Sequence, residues 1–421
     1  MIRKTILIVV LLIALLAVSA SANYWEFLGL SDMRVLSIEI DPINPQYICA
    51  GTDSGLFVSF NSGQSWDRQF VNLNVPFLSY DPHDNDTLWA LLAGGSWSDG
   101  IHYSIDNGNG WWPRSYMLNP RRLGFDPVNP GFMYICFEDG ILKSQDSFQT
   151  YSSANIGLPD LNIIDIKGDG TNQLEAYAVG ETFVAHTTDF ANSWEDIGGL
   201  FNLEDYNPNR IEYEPNGPET LYVSCYAYVA ISFNGGLDWE YTPTSTVDNV
   251  PIACDPQIAG RLFVGSVSNG GVLISTDAGA TFSPFNDSLD NLNVYSLEID
   301  ANGRLFAGTE DGIYIYDFSS GVFDNQPLIP SSTTLYQNYP NPFNNRTLIE
   351  FILEKPGYAR IEIYDIVGKL VKVLFDGSVN CHRSLWWDGT DKNGDKVSSG
   401  LYIYSLKTPD QAIFRKMMLL K

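Results

Sequence analysis

Short runs of alternating apolar and polar residues, separated by acidic, proline and glycine turns, recur along most of the chain. The first unit sets the pattern. Val35-Leu36-Ser37-Ile38-Glu39-Ile40 alternates with the two-residue period of a strand that buries one face. Asp41-Pro42-Ile43-Asn44-Pro45 cannot continue a hydrogen-bonded ladder, so it predicts a turn. Residues 47–51 then form a second strand, Asp53-Ser54-Gly55 a hairpin, and residues 56–60 a third strand. After a further turn, residues 66–70 make a fourth. Asp81-Pro82, Asp126-Pro127, Glu214-Pro215 and Asp255-Pro256 repeat the opening turn, and a seventh unit spans 294–316 with Glu310-Asp311-Gly312 as its hairpin. Residues 24–30 precede the first inner strand and have the pattern of an outer one. They are predicted to complete the seventh unit, because an open ring of sheets leaves an unpaired edge.

The turn between third and fourth strands fixes the architecture. Ser/Thr-x-Asp/Asn-x-Gly-x-x-Trp/Phe recurs with its third residue at Asn61, Asp106, Asp146, Asp189, Asn234 and Asp277, at spacings of 45, 40, 43, 45 and 43 residues. The third copy is degenerate, with Phe148 and Tyr151, and the fourth has Ala191 where glycine is usual. An interval of about 40–45 residues is that of a four-stranded propeller blade. The motif resembles the Asp-box, and residues 23–324 are similar to the Asp-box (BNR-type) propellers of sialidases, sortilin-type receptors and photosystem-assembly-factor-like proteins. That resemblance implies an all-β propeller over residues 23–325, and the repeats with the closing strand make it a seven-bladed β-propeller, six or eight blades being the alternatives. The six Asp/Asn side chains are expected to cap the backbone N–H groups of their own turns, the glycines to take φ > 0, and the aromatics to pack between sheets. One carboxylate per turn is too few for calcium, so no metal and no cofactor is expected.

The two ends differ from the middle. Arg3 and Lys4, an apolar run over residues 6–18 and Ala20-Ser21-Ala22 read as a cleaved export signal at residues 1–22, with no membrane span left after cleavage. Residues 23–330 hold ten Lys+Arg against 41 Asp+Glu, a net of −31, whereas residues 331–421 hold twelve against nine, a net of +3. That contrast marks separate domains and makes nucleic acid a poor partner. Residues 326–334 form a Pro/Ser/Thr linker. Beyond it, Tyr339-Pro340-Asn341-Pro342-Phe343-Asn344, Ile363-Tyr364-Asp365, Trp387-Asp388-Gly389, Ser399-Gly400-Leu401-Tyr402 and the basic, apolar terminus are similar to the type A sorting domain of the type IX secretion system, itself similar to the Ig-like domain of flagellar hook-capping proteins. Asn345-Arg346 departs from the Pro-Ser usual in that family. The resemblance implies that residues 335–421 are a small Ig-like β-sandwich that engages the type IX secretion machinery, leaving the protein secreted or on the outer-membrane surface. Asp391-Lys392-Asn393-Gly394-Asp395 reads as a tight turn rather than a calcium loop.

Catalytic motifs are missing. His83, His102, His186 and His382 are scattered, and no HExxH, GxSxG or phosphate loop occurs. Cys49, Cys136, Cys225, Cys254 and Cys381 are odd in number, lack a CxxC and read as small buried residues. Sialidase chemistry resembles one that needs three arginines around a carboxylate and a tyrosine nucleophile, and the propeller has eight arginines without the family's Arg-Ile-Pro opening. The hairpins between second and third strands all reach the face opposite the repeated turns. They bring Asp53, Asp99, Glu138, Asp139, Glu181, Glu310 and Asp311 there, with Trp97, Tyr226 and Tyr228 as aromatic neighbours. These ten residues are the candidate ligand site, suited to a sugar, a cation or a basic peptide. The expected function is a non-enzymatic secreted or surface propeller that binds a glycan, protein or matrix component. The alternative is a secreted glycoside hydrolase or lyase on the same scaffold.

Overall fold

The computed structural model describes residues 24–93, 99–169, 172–198, 207–215, 217–318, 333–335, 338, 341–344, 346–353, 357–379 and 382–420. The export signal read in residues 1–22 lies outside them, as do Cys381 and most of the linker. The chain divides into two compact units, Met1–Phe323 and Asp324–Lys421. Among the described residues there are strands and turns and no helix.

In the first unit, seven antiparallel sheets of four strands succeed one another. Blade one is representative: Val35–Ile40, Ile48–Thr52, Leu56–Ser59 and Asp67–Arg68 pair in chain order. Burial follows position in the sheet. The innermost strand alternates, the second is buried throughout, and the fourth is exposed. Second strands are covered on both faces by neighbouring sheets, which is why they read as unbroken apolar runs such as Met133–Phe137 and Ala176–Gly180. Each inner strand touches the inner strands of the blades before and after it, and Val294–Ile299 of blade seven touches Val35–Ile40 of blade one. The ring is therefore closed.

The closing piece is Glu26–Gly29, which pairs antiparallel with Gly312–Tyr316 as the fourth strand of blade seven, as the sequence pattern predicts. Trp25 fastens it. Its indole is 2% exposed, packs edge-on against Phe285 and Tyr316, and donates to the Phe285 carbonyl at 2.8 Å. Trp194 and Trp239 do the same in blades four and five, donating to the Ala154 and Ile197 carbonyls of the preceding blade. One aromatic rivet is thus used both within the chain and at its closure.

The six repeated turns share one hydrogen-bond pattern. In each, the opening Ser or Thr hydroxyl accepts the N–H of the fifth residue at 2.8–3.0 Å and donates to the side chain of the third at 2.8–3.0 Å. That third side chain accepts the N–H of the seventh residue at 2.7–3.0 Å. The fourth and fifth residues are both left-handed, which favours glycine at the fifth. Phe148 and Ala191 nevertheless hold φ of 60° and 49° at that place. Both side chains are buried in clusters shared with the preceding blade, and that burial offsets the strain.

In the second unit, a three-stranded sheet (Thr334–Leu335, Thr347–Ile352, His382–Trp387) and a four-stranded sheet (Leu370–Val379, Gly357–Asp365, Gly400–Lys407, Ala412–Leu419) enclose one core. Trp387 lies at its centre, 0% exposed, edge-on to Tyr402 and hydrogen-bonded to the Thr390 carbonyl at 2.9 Å. Asp391 caps its turn by accepting the N–H groups of Asn393 and Asp395.

Candidate ligand-binding site

Each inner strand begins on the hairpin side of the ring, where backbone hydrogen bonds such as Asp53 N–H to Arg34 O and Glu310 N–H to Asn293 O tie hairpin to strand. Near those beginnings each blade turns one residue toward the axis: Leu36, Pro76, Arg122, Ile164, Arg210, Val250 and Tyr295. With Asn74, Arg121 and Glu138 among their neighbours, they line a cavity of about 370 Å³ at the channel mouth.

This mouth is basic, within a propeller that carries a net of −31. Arg122 of blade three and Arg210 of blade five flank Asp165 of blade four. Arg122 Nε lies 3.9 Å from Asp165 Oδ1, and Oδ2 is taken by the Ile211 N–H at 3.0 Å. Arg210 donates to the Ile164 and Asn209 carbonyls, at 3.5 and 3.1 Å, and forms no ion pair among the described residues. Burial, with the Arg210 guanidinium beside it, brings Arg122 down to about 9. One guanidinium thus has a carboxylate at 3.9 Å and the other, among the described residues, carbonyl partners alone, and an anion placed between them relieves their repulsion. Arg121 donates to Asn162 at 2.7 Å and pairs with Glu138 at 2.8 Å.

Of the ten residues expected at this face, Glu138 lines the cavity. Glu310 is held elsewhere: Arg34 grips both its oxygens at 2.7 and 2.8 Å, Tyr295 donates to it at 2.6 Å, and its pKa is held below the usual carboxylate value chiefly by Arg34. Asp311 accepts the Asp32 N–H at 2.6 Å. Both residues bind the seventh hairpin to the segment entering blade one. Glu181 accepts from Asn162 at 2.7 Å. Asp99 is 2% exposed, whereas Asp53 and Asp139 are exposed. Tyr226 is 41% exposed and Tyr228 half-buried in blade five. Trp97 lies outside the described residues.

The offset is geometric. Hairpins join second and third strands, which stand roughly 5–10 Å further from the axis than the inner strand at about 4.8 Å per strand. Hairpin tips thus ring the mouth, and among the described ones Glu138 alone reaches its lining. Arg122, Arg210 and Tyr295 escaped the sequence reading, although a signal for them exists: each lies four or five residues before a turn acid, Asp126, Glu214 or Asp300.

Residues 337–420 match the family described as secretion system C-terminal sorting domain. The tail is thus a type IX sorting domain, and the protein is exported to the cell surface or beyond it. Propellers are found among similar solved structures. YCF48 bound to D1 peptide has a TM-score of 0.53 at 16% identity, covering 70% of this chain and 97% of that one. The extracellular domain of the putative hybrid two component system BT3049 from B. thetaiotaomicron has a TM-score of 0.58 at 14% identity, covering 94% of this chain and 57% of that one. The GH74 enzyme of Niastella koreensis has a TM-score of 0.57 at 14% identity, covering 93% and 74%. At such identities the likeness is one of fold. Among curated proteins, none matches in sequence. Fold and tail together define an exported β-propeller protein with a type IX secretion sorting tail.

Proposed function

We propose that this protein is a binding propeller of the cell surface or exterior, whose channel mouth on the hairpin face takes a ligand through a carboxylate. The observation that carries this reading is Arg210, a guanidinium facing a 370 Å³ cavity beside Arg122 with no carboxylate partner of its own among the described residues. In so acidic a chain, a basic concavity favours one sign of ligand, and a guanidinium matches a carboxylate in two parallel hydrogen bonds. The cavity is also within the range of small-ligand sites. Glu138 and Glu310, two of the hairpin acids, serve as counter-ions to Arg121 and Arg34. At the mouth itself that favours binding over hydrolysis, because both acids are ion-paired with their arginines and neither is free to donate a proton. The fold neighbours include both a peptide-bound protein and an enzyme, so they support either role equally.

The test is a panel of glycans with and without uronate or sialate groups, and of peptides with free or amidated C-termini, probed with the full chain. Carboxylated members of one set are expected to bind, with affinity falling at high salt and by about tenfold or more in Arg210→Gln. Selection of neutral ligands indifferent to that substitution, or turnover of glycosides, would overturn the reading.

A further inference from the structure

Below the mouth the channel opens onto a second cavity of about 270 Å³ whose charges do not balance. Beneath the mouth arginines and Asp165, its charged lining is Glu39 on blade one, Lys167 on four, Glu212 on five and Glu298 on seven. Lys167 is already committed, since its ammonium is bound by both oxygens of Glu212. Glu39 and Glu298 are left. Each is the fifth residue of its inner strand, paired across the sheet with Cys49 and Phe306 respectively. Those two inner strands pack against each other where the ring closes. Two carboxyl groups thus face one cavity from either side of the seam, with no ion-pair partner of their own among the described residues.

We propose that Glu39 and Glu298 act as a proton-holding pair, at least one of them a neutral acid at neutral pH, and that loss of the last proton loosens the closing seam. Their surroundings support this. Burial, then the nearby Glu298 and Glu212, raises Glu39 well above the usual carboxylate range. Burial and Glu212 raise Glu298 to about 8. Lys167 opposes both shifts, and the Tyr80 N–H opposes that of Glu39. The remaining ionisable neighbours are Cys49, Asp41 and Tyr80 around Glu39 and Asp300 beside Glu298, none of them a cation.

The sign follows from linkage. The folded ring keeps protons that the unfolded chain releases near pH 4.5, so this contribution to stability is complete below that value. It is lost as pH rises through about 8. Thermal unfolding of the full chain across this window, with Glu39→Gln and Glu298→Gln beside it, reads the effect. The wild-type midpoint should fall with rising pH. Each glutamine variant should match wild type at the acid end and exceed it at the alkaline end. Difference infrared spectroscopy adds a direct reading: wild type should retain a protonated-carboxyl band at neutral pH that is lost when Glu39→Gln and Glu298→Gln are combined. Parallel midpoint profiles would overturn the proposal. So would a wild-type spectrum with no such band at neutral pH, a reading that stands even where a variant does not fold.

Discussion

Replacing Trp25 by alanine removes the side chain that locks the closing strand onto blades six and seven. The indole is 2% exposed, lies edge-on to Phe285 and Tyr316, and donates to a carbonyl at 2.8 Å. Truncating a buried tryptophan costs about 3–5 kcal/mol, and an unsatisfied carbonyl adds roughly 1 kcal/mol more. Because every blade depends on closure, the loss falls on the propeller as a whole. At a few degrees per kcal/mol for a domain of this size, the propeller transition should drop by roughly 10 °C. Glu26→Ala, one residue along and exposed, is the matched control and should stay within about 0.5 kcal/mol of wild type. Urea unfolding of the full chain, followed by far-UV circular dichroism, measures both. If Trp25→Ala cost no more than Glu26→Ala, the N-terminal strand would not be what closes the ring.

Two further substitutions probe the joints between blades. A Cβ at Gly308 would stand 2.2 Å from Ser296 Oγ and 2.8 Å from the Val35 carbonyl across the seam, so Gly308→Ala should cost about 1–3 kcal/mol, read as a lower unfolding midpoint. Thr187→Val keeps the shape of the fourth repeated turn. It removes the hydroxyl that accepts the Ala191 N–H at 3.0 Å and donates to Asp189 at 2.9 Å. The expected loss is about 1–2 kcal/mol by urea titration.

How much could be read from the sequence depended on how far apart the determining residues lie. The repeated turn is local: hydroxyl, acid, left-handed pair and aromatic all fall within eight residues, so its chemistry was legible, while six turns left the number of blades open between six and eight. The closing strand was legible because a ring of sheets needs one, and Trp25 sits where the turn aromatics sit. Phe148 and Ala191 broke the glycine rule for a reason the local sequence does not carry, namely burial against the preceding blade. The mouth was harder still. Its residues come one per blade from positions about 40 apart, and the eye is drawn instead to conspicuous acidic hairpins such as Glu138-Asp139 and Glu310-Asp311. Two of those acids turn out to neutralise Arg121 and Arg34. The pairing of Glu39 with Glu298 joins the first blade to the last, and only closure brings them to one cavity.

A crystal structure of the full chain soaked with the tightest carboxylated ligand from the binding panel bears most directly on the role of the channel mouth. Its carboxylate should lie between Arg122 and Arg210, within hydrogen-bond distance of both guanidinium groups. A ligand seated instead among the hairpin tips, or on the face of the repeated turns, would contradict that assignment.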